Sequence, residues 1–247
     1  MIGRSDAAFP STRQSVLRAV ASSDPEVRRA ALEDLAAVYW RPVYARYRLK
    51  WNLPAADAED LAQDFFARAL SDGLFQDFDP ERARFRTFLR LCADRFAANA
   101  RRDQHRLKRG GAATMVSLDV AGAERDLAEA PALRTDAEAD AWFGREWVRA
   151  LFADAVERLR ASTAGTPREI RFTLLRRYDL EPERDADRPG YRDLADEFHL
   201  PVTQVTNHLA WARRELRRLL LERLRSLSAT DAEFRDEAAA VLGQEPE

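Results

Sequence analysis

The sequence predicts an all-α protein of two small helical domains, joined by an acidic flexible linker, with a helix-turn-helix at the end of the second domain. Only 9 glycines and 11 prolines occur among 247 residues, and alanine, leucine, arginine and glutamate, which all favour helix, are frequent throughout. Apolar residues recur at steps of three and four, which is the spacing of one helical face. With 46% hydrophobic residues, each domain can bury its own core.

The helical pattern divides the chain into five parts. We expect an N-terminal extension over 1–25, a helical domain over 26–112, an acidic linker over 113–140, a second helical domain over 141–226 and a tail helix over 227–247. The first long helix is predicted from Glu26 to Trp51, with Asp24 as its N-cap, and we expect Pro42 to break or kink it. Further helices are predicted from about Asp57 to Ser71 and between residues 80 and 110.

The linker and the tail differ in their patterns. Between Gly111 and Asp140 the periodicity is lost and acids outnumber bases, which predicts a mostly extended segment. Thr230 and Glu233 form a capping-box pattern that predicts a short helix ending near Leu242. This tail helix either packs on the second domain or makes a regulatory contact.

Several classes of function are disfavoured. Cys92 is the single cysteine, so no internal disulfide is expected, and three scattered histidines predict no zinc site. We expect no cofactor and no metal. No nucleophile-base set or glycine-rich phosphate loop is present, so the sequence predicts no enzyme. Neither a signal peptide nor an uncharged apolar run of about 18 residues occurs, so we expect a soluble cytoplasmic protein without a membrane partner.

The segment from Tyr191 to Arg218 has the pattern of a helix-turn-helix. Leu194 and Ala195 belong to the first helix, Leu200 closes the turn, and Val205 with Leu209 anchors the second helix. The side chains expected to reach base edges are those of Thr203, Gln204, Thr206, Asn207 and His208. Those expected to neutralise phosphates are Arg213, Arg214, Arg217 and Arg218. The alternative is an ordinary helical hairpin with a solvated basic end.

A basic stripe is predicted along the helix of the first domain that follows residue 80. Its inner face is predicted to consist of apolar residues, which are expected in the core rather than in a base-stacking platform: Phe85, Phe88, Leu89, Cys92 and Phe96. The cations are thereby forced outward: Arg82, Arg84, Arg86, Arg90, Arg95, Arg101, Arg102, Arg106, Lys108 and Arg109. Only Asp94 and Asp103 oppose them, which indicates an anionic partner or a solvated charged face.

An acidic cluster precedes this stripe. Asp57, Glu59, Asp60 and Asp64 lie on the first two turns of an amphipathic helix. Acids at a helix N-terminus also favour the macrodipole, which is the alternative explanation. With no second carboxylate pair beside them, protein binding is favoured over acid-base catalysis.

Taken in order, these features resemble bacterial RNA polymerase sigma factors of the extracytoplasmic-function group, over Glu26 to Arg225. The segment FPSTRQS, Phe9–Ser15, and the segment PVTQVTNHLAWARREL resemble a long sigma-like subgroup. The resemblance implies binding to core RNA polymerase, at the clamp helices and the flap, and to promoter DNA. An anti-sigma protein or another regulator is a further partner that it implies. The acidic linker would then lead towards the active centre or the RNA exit path.

The resemblance also assigns residues to these partners. Asp57, Glu59, Asp60, Gln63 and Asp64 would bind the clamp, and the basic stripe with Asn99 would bind the proximal promoter element and hold a flipped base. The helix-turn-helix would read the distal element. Phe88, Arg95 and Asn99 stand where the family usually has Trp, Asn and Asp. Thr203-Gln204 replaces Gly-Thr, and Trp211 replaces a basic residue, so the preferred DNA sequences do not carry over.

Two rival functions remain at the level of sequence. A stand-alone helix-turn-helix regulator would bind its operator without polymerase, usually as a symmetric dimer. An enzyme acting on nucleic acid would need a carboxylate or metal set that the scattered acids do not provide.

Overall fold

The computed structural model describes residues 16–20, 22–71, 74–75, 77–102, 120–128, 133, 135–182 and 187–243. Its helices are α1 (Val16–Val20), α2 (Pro25–Leu49), α3 (Ala55–Ser71), α4 (Phe85–Arg102), α5 (Val120–Ala128), α6 (Asp136–Thr163), α7 (Glu169–Leu175), α8 (Tyr191–Glu197), α9 (Val202–Ser226) and α10 (Asp231–Leu242). A π-helical turn, Arg176–Leu180, follows α7. The described residues form no β-strand, which confirms the predicted all-α class. None of the described helices is long and apolar enough to cross a membrane.

The chain forms two compact units. Unit 1 comprises residues 1–147 and 225–247, and unit 2 comprises residues 148–224. The tail helix therefore groups with the first part of the chain. The predicted domain limits remain predictions.

Helix α2 begins as the sequence predicts. The Asp24 carboxylate accepts a hydrogen bond from the Glu26 amide at 2.9 Å, and Pro25 occupies the first turn. Of the two outcomes expected at Pro42, the break is wrong, because α2 continues to Leu49. A proline inside a helix costs about 3 kcal/mol. Burial of Pro42, Val43 and the neighbouring tyrosine side chains against the core offsets that cost.

Aromatic rings dominate the core of unit 1. Phe85 is buried, and its ring lies 5.6 Å from Phe75 and 5.1 Å from Phe78, both edge-on. Phe96 packs edge-on against Phe65 at 5.7 Å. Phe88 contacts the same cluster. Phe85 is therefore a core residue, whereas Phe88 and Phe96 are half-buried at the edge of the core.

The expectation of a mostly extended linker is wrong for residues 120–128, which form α5, and for residues 136–140, which belong to α6. Ala123 and Leu127 of α5 are buried. The Glu124 carboxylate accepts hydrogen bonds from Arg48 at 2.7 and 2.9 Å and from the Tyr44 hydroxyl at 2.6 Å. Acids that sequence analysis assigned to a solvated linker thus neutralise cations of α2. Residues 113–119, 129–132 and 134 lie outside the described residues.

Asp94 on α4 joins that helix to the end of α2. Its carboxylate accepts two hydrogen bonds of 2.7 Å from Arg46, one of 3.0 Å from Lys50 and one of 3.1 Å from the Trp51 indole. Burial alone would raise the pKa of Asp94, but these hydrogen bonds outweigh it and lower the pKa to about 2. The Arg46 side chain is 0% exposed, and Asp140 lies 3.0 Å from its guanidinium.

The core of unit 2 is a separate cluster. Leu174, Leu194, Ala195, Val205 and Leu209 are buried together. Ile170, Tyr178, Phe198 and Leu200 pack around them. This cluster fixes α8 against α9 and leaves the opposite face of α9 exposed.

Replacing Asp94 with asparagine removes one of the two carboxylates that compensate Arg46. We expect D94N to lower the free energy of unfolding by about 3 kcal/mol, because the buried cation loses its bidentate partner. A lowered carboxyl pKa stabilises the fold at pH values above the unfolded pKa, about 3.9, and this contribution is lost as the pH falls towards 2. Urea unfolding at several pH values measures both effects. The exposed Asp77→Asn variant is the control, and an equal loss in both variants would contradict the assignment.

Candidate nucleic-acid interface

Helix α3 presents carboxylates on its outer face. Ala58, Ala62 and Phe65 are buried on the inner face, whereas Asp57, Asp60 and Asp64 are exposed, as Glu59 and Gln63 are in part. Burial, followed by the nearby charge of Asp60, raises the pKa of Asp64. The predicted polymerase-binding residues therefore share one acidic surface, suited to a cationic partner.

The C-terminal half of α4 carries the exposed part of the basic stripe. Arg95, Asn99, Arg101 and Arg102 are exposed, and the structure pairs none of these arginines with a carboxylate among the described residues. Three of the side chains, at positions 95, 99 and 102, recur at helical spacing and share one face. Such a face can bind phosphates. Arg106, Lys108 and Arg109 lie outside the described residues.

The N-terminal half of the stripe is neutralised within the chain. Arg90 pairs with Asp140. Arg86 lies 3.1 Å from Glu237 and stacks on Trp147, with its guanidinium 4.5 Å from the ring centroid. These arginines were predicted to face solvent or DNA, and the structure shows them half-buried against acids distant in sequence.

The tail helix α10 supplies the acids at the start of α4. Asp236 accepts a hydrogen bond of 2.7 Å from Arg84, and the buried Glu233 accepts one of 2.7 Å from the Phe85 amide. The interpretation that α10 packs on the second helical domain is wrong, because its acidic face is complementary to α4. Thr230 is the N-cap, since its hydroxyl accepts a hydrogen bond from the Glu233 amide at 3.0 Å. The reciprocal half of the predicted capping box is wrong, because the Glu233 carboxylate accepts from the Ala229 and Phe85 amides instead.

Burial of the Glu237 carboxylate is unfavourable, because it loses its contacts with water. Its side chain is 3% exposed, and neither of its carboxylate oxygens makes a hydrogen bond. Burial raises the pKa of Glu237, although the charges of Arg86 and Arg84 act in the opposite direction. The contact between α10 and α4 is therefore electrostatic and carries a desolvation penalty.

In unit 2, α8, a short turn and α9 occur at the positions predicted for the helix-turn-helix. His199 adopts the left-handed conformation at φ 52°, and the Leu200 amide donates a hydrogen bond of 2.9 Å to the Ala195 carbonyl. These features close the turn. Of the predicted distal-element residues, Thr203, Gln204, Asn207, Arg213, Arg214 and Arg217 are exposed, and Thr206 and His208 are half-buried.

Arg213 is held differently from its neighbours. It donates two hydrogen bonds of 2.8 Å to Asp179 and lies over the Tyr178 ring at 5.2 Å. Hydrogen bonding to Asp179 raises the pKa of Arg213. Arg214 and Arg217, in contrast, have no carboxylate partner among the described residues. Arg213 therefore links α9 to the π-helical turn at Asp179, in addition to contributing a positive charge.

Sequence analysis missed the acidic partners of the basic surfaces. Asp126 and Glu146 bind Arg41, with 2.9 Å separating Glu146 from the guanidinium. Their sequence separations from Arg41 are 85 and 105 residues. The only feature of the sequence that pointed to these ion pairs was the cluster of acids between residues 119 and 146. Helical periodicity acts over a few residues and could not predict that these acids contact α2.

The fold and these surfaces describe an all-α protein with charged helix faces suited to a protein partner and a polyanion. Residues 38–107 match the family model described as Sigma-70 region 2. That segment contains α3, α4 and the second half of α2, all of which belong to unit 1. No curated protein matches the chain, and no solved structure matches it.

Reversing the charge of Asp236 should weaken the contact between α10 and Arg84. We expect D236R to increase amide hydrogen exchange of α10 several-fold, because Arg84 then faces a like charge. Hydrogen exchange followed by mass spectrometry measures this. D231R makes the same charge change on the same helix but faces Arg225 rather than Arg84. It should therefore leave exchange of the Phe85 region near that of the wild type, whereas D236R should increase exchange of that region too. Equal exchange of the Phe85 region in the two variants would contradict the contact between α10 and α4.

Proposed function

We propose that the chain is a sigma factor that binds core RNA polymerase and directs promoter recognition. The observation that carries the proposal is the match of residues 38–107 to Sigma-70 region 2. In the same segment, the acidic outer face of α3 and the basic face of α4 are separate surfaces. A protein partner and a nucleic acid can therefore be bound by one small unit without competing.

The acidic face of α3 is the proposed polymerase-binding surface. Asp60 and Asp64 are exposed and the side chains beneath them, Ala62 and Phe65, are buried in the core. The carboxylates are thus displayed on a rigid helix. Charge complementarity of this kind gives specificity and fast association.

The exposed half of the α4 stripe is the proposed surface for the proximal promoter element. Arg95, Arg101 and Arg102 supply cations, and Asn99 supplies an amide that can donate and accept hydrogen bonds. Arg84, Arg86 and Arg90 join this surface only when phosphates replace their carboxylate partners. We propose that the acidic tail helix, through Arg84 and Arg86, and Asp140 of α6, through Arg90, in this way restrain DNA binding by the free protein.

Helix α9 is the proposed reader of the distal element. Gln204 and Asn207 lie on its exposed early turns, where amide side chains can pair with adenine edges. Arg214 and Arg217 follow on the same helix and suit phosphate contacts. Membership of the extracytoplasmic-function group, the long subgroup and an anti-sigma partner belong to this proposal, and the alternative is a stand-alone regulator.

Reversing two carboxylates on α3 tests the polymerase surface. We expect D60R/D64R to abolish retention of core RNA polymerase in a pull-down, because two repulsive charges replace two attractive ones. E26R/E33R makes the same charge change on α2, where Glu26 and Glu33 both pair with Arg29, and should retain polymerase. Circular dichroism confirms the fold of each variant. Absence of polymerase on the wild type would favour the stand-alone regulator.

Neutralising two exposed arginines of α4 tests the DNA surface. We expect R95Q/R102Q to weaken binding of random-sequence single-stranded DNA to the full chain by several-fold, since two phosphate contacts are lost. Fluorescence anisotropy measures the affinity. R29Q/R235Q removes the same charge from exposed arginines elsewhere in unit 1 and serves as the control. An equal loss in both would show that only net charge matters.

A further inference from the structure

We propose that Arg168 and Arg171 form a phosphate-binding pair beside α9, positioned by Trp211, and that its ligand is the sugar-phosphate backbone of duplex DNA. This inference rests on the proposed function of unit 2 in DNA binding. Arg168 immediately precedes α7, Arg171 lies within it, and Trp211 lies on α9. The pair adds a second helix to the proposed DNA surface.

Stacking on Trp211 holds the two guanidinium groups. The centre of the Arg171 guanidinium lies 4.5 Å from the Trp211 ring centroid, and that of Arg168 lies at 5.9 Å. An arginine on an aromatic face keeps its planar group fixed while the edge N–H donors remain available for a phosphate. Arg168 is exposed and the other two side chains are half-buried.

The charge of this pair is not neutralised by a bound carboxylate. Neither arginine forms an ion pair among the described residues, whereas Arg160 pairs with Glu157 at 2.6 Å and Arg176 with Glu181 at 3.2 Å. The Nε of Arg171 is buried without a hydrogen-bond partner, so a phosphate would bind the terminal N–H groups of the two arginines. The charge of Arg168 acts on Glu215, but Glu215 accepts its hydrogen bonds from Arg218. An anion can therefore neutralise this pair without displacing a carboxylate.

The pair borders the residues proposed to read bases. Trp211 lies one turn beyond Asn207 and His208 on α9, so all three are neighbours on the helix surface. Burial and then the charge of Arg171 lower the pKa of His208, which places that cation near the recognition positions. Side chains beside a recognition helix are placed to contact the phosphates that line the groove. Trp211 stands where the resemblance expects a basic residue on α9, and Arg171 of α7 supplies a positive charge beside it.

The salt dependence of DNA binding tests the pair. Fluorescence anisotropy with the full-length chain and a short random-sequence duplex, over a series of salt concentrations, gives the slope of log K against log salt. Each neutralised phosphate contributes about 0.9 to that slope. We expect R168Q/R171Q to reduce it by about 1.8 and R168Q alone by about 0.9. R160Q/R176Q removes the same charge from carboxylate-paired arginines of unit 2 and should keep the wild-type slope.

Trp211 is a positioning residue and has its own matched variants. W211F keeps an aromatic face and should retain the wild-type affinity and slope, whereas W211L should weaken binding several-fold. R168K/R171K keeps the charge and should keep most of the slope, which separates a lost phosphate contact from a damaged fold. Equal slopes for R168Q, R168Q/R171Q and wild type would overturn the pair alone. A wild type that shows no salt-dependent duplex binding would also overturn the proposed DNA role of unit 2, whatever the polymerase pull-down gives.

Discussion

The buried charge of Arg46 is the constraint on which unit 1 depends. Its side chain is fully buried, and a buried cation without an acid costs several kcal/mol. Asp94 from α4 and Asp140 from α6 are therefore held against α2. Since Asp140 also binds Arg90, the network that neutralises the core cation also positions the basic helix proposed to meet DNA.

The net charge of −2 does not show that many cations of unit 1 are neutralised by the chain's own acids. Carboxylates of α5, α6 and α10 lie against cations of α2 and α4. Affinity for DNA is largely phosphate neutralisation. Under the proposed DNA role, phosphates and the chain's own acids are therefore alternative partners for the same arginines. The exposed half of α4, at Arg95 to Arg102, is then available to phosphates at once, and the paired half, at Arg84 to Arg90, needs an exchange of anions.

Local physical chemistry made much of this predictable. The N-caps Asp24 and Thr230 and the apolar faces of α3 and α4 follow from rules acting over one or two helical turns. The charged surfaces of α3 and α9 follow from the same periodicity. The partners of Arg41, Arg84 and Arg86 could not be predicted, because acids up to 153 positions away in the sequence reach them only through tertiary packing. The helical state of residues 120–128 was missed for the same reason, since burial of Ala123 and Leu127 stabilises α5.

Strand opening by reconstituted polymerase tests the central claim most directly. Bacterial core RNA polymerase, with and without the full-length chain, is incubated with supercoiled plasmids that carry genomic fragments, and permanganate reactivity maps unpaired thymines. The account predicts opening at discrete positions only when the chain is present, followed by transcripts that begin just downstream. Discrete DNA protection by the chain alone, with no polymerase-dependent opening, would contradict it and identify a stand-alone regulator.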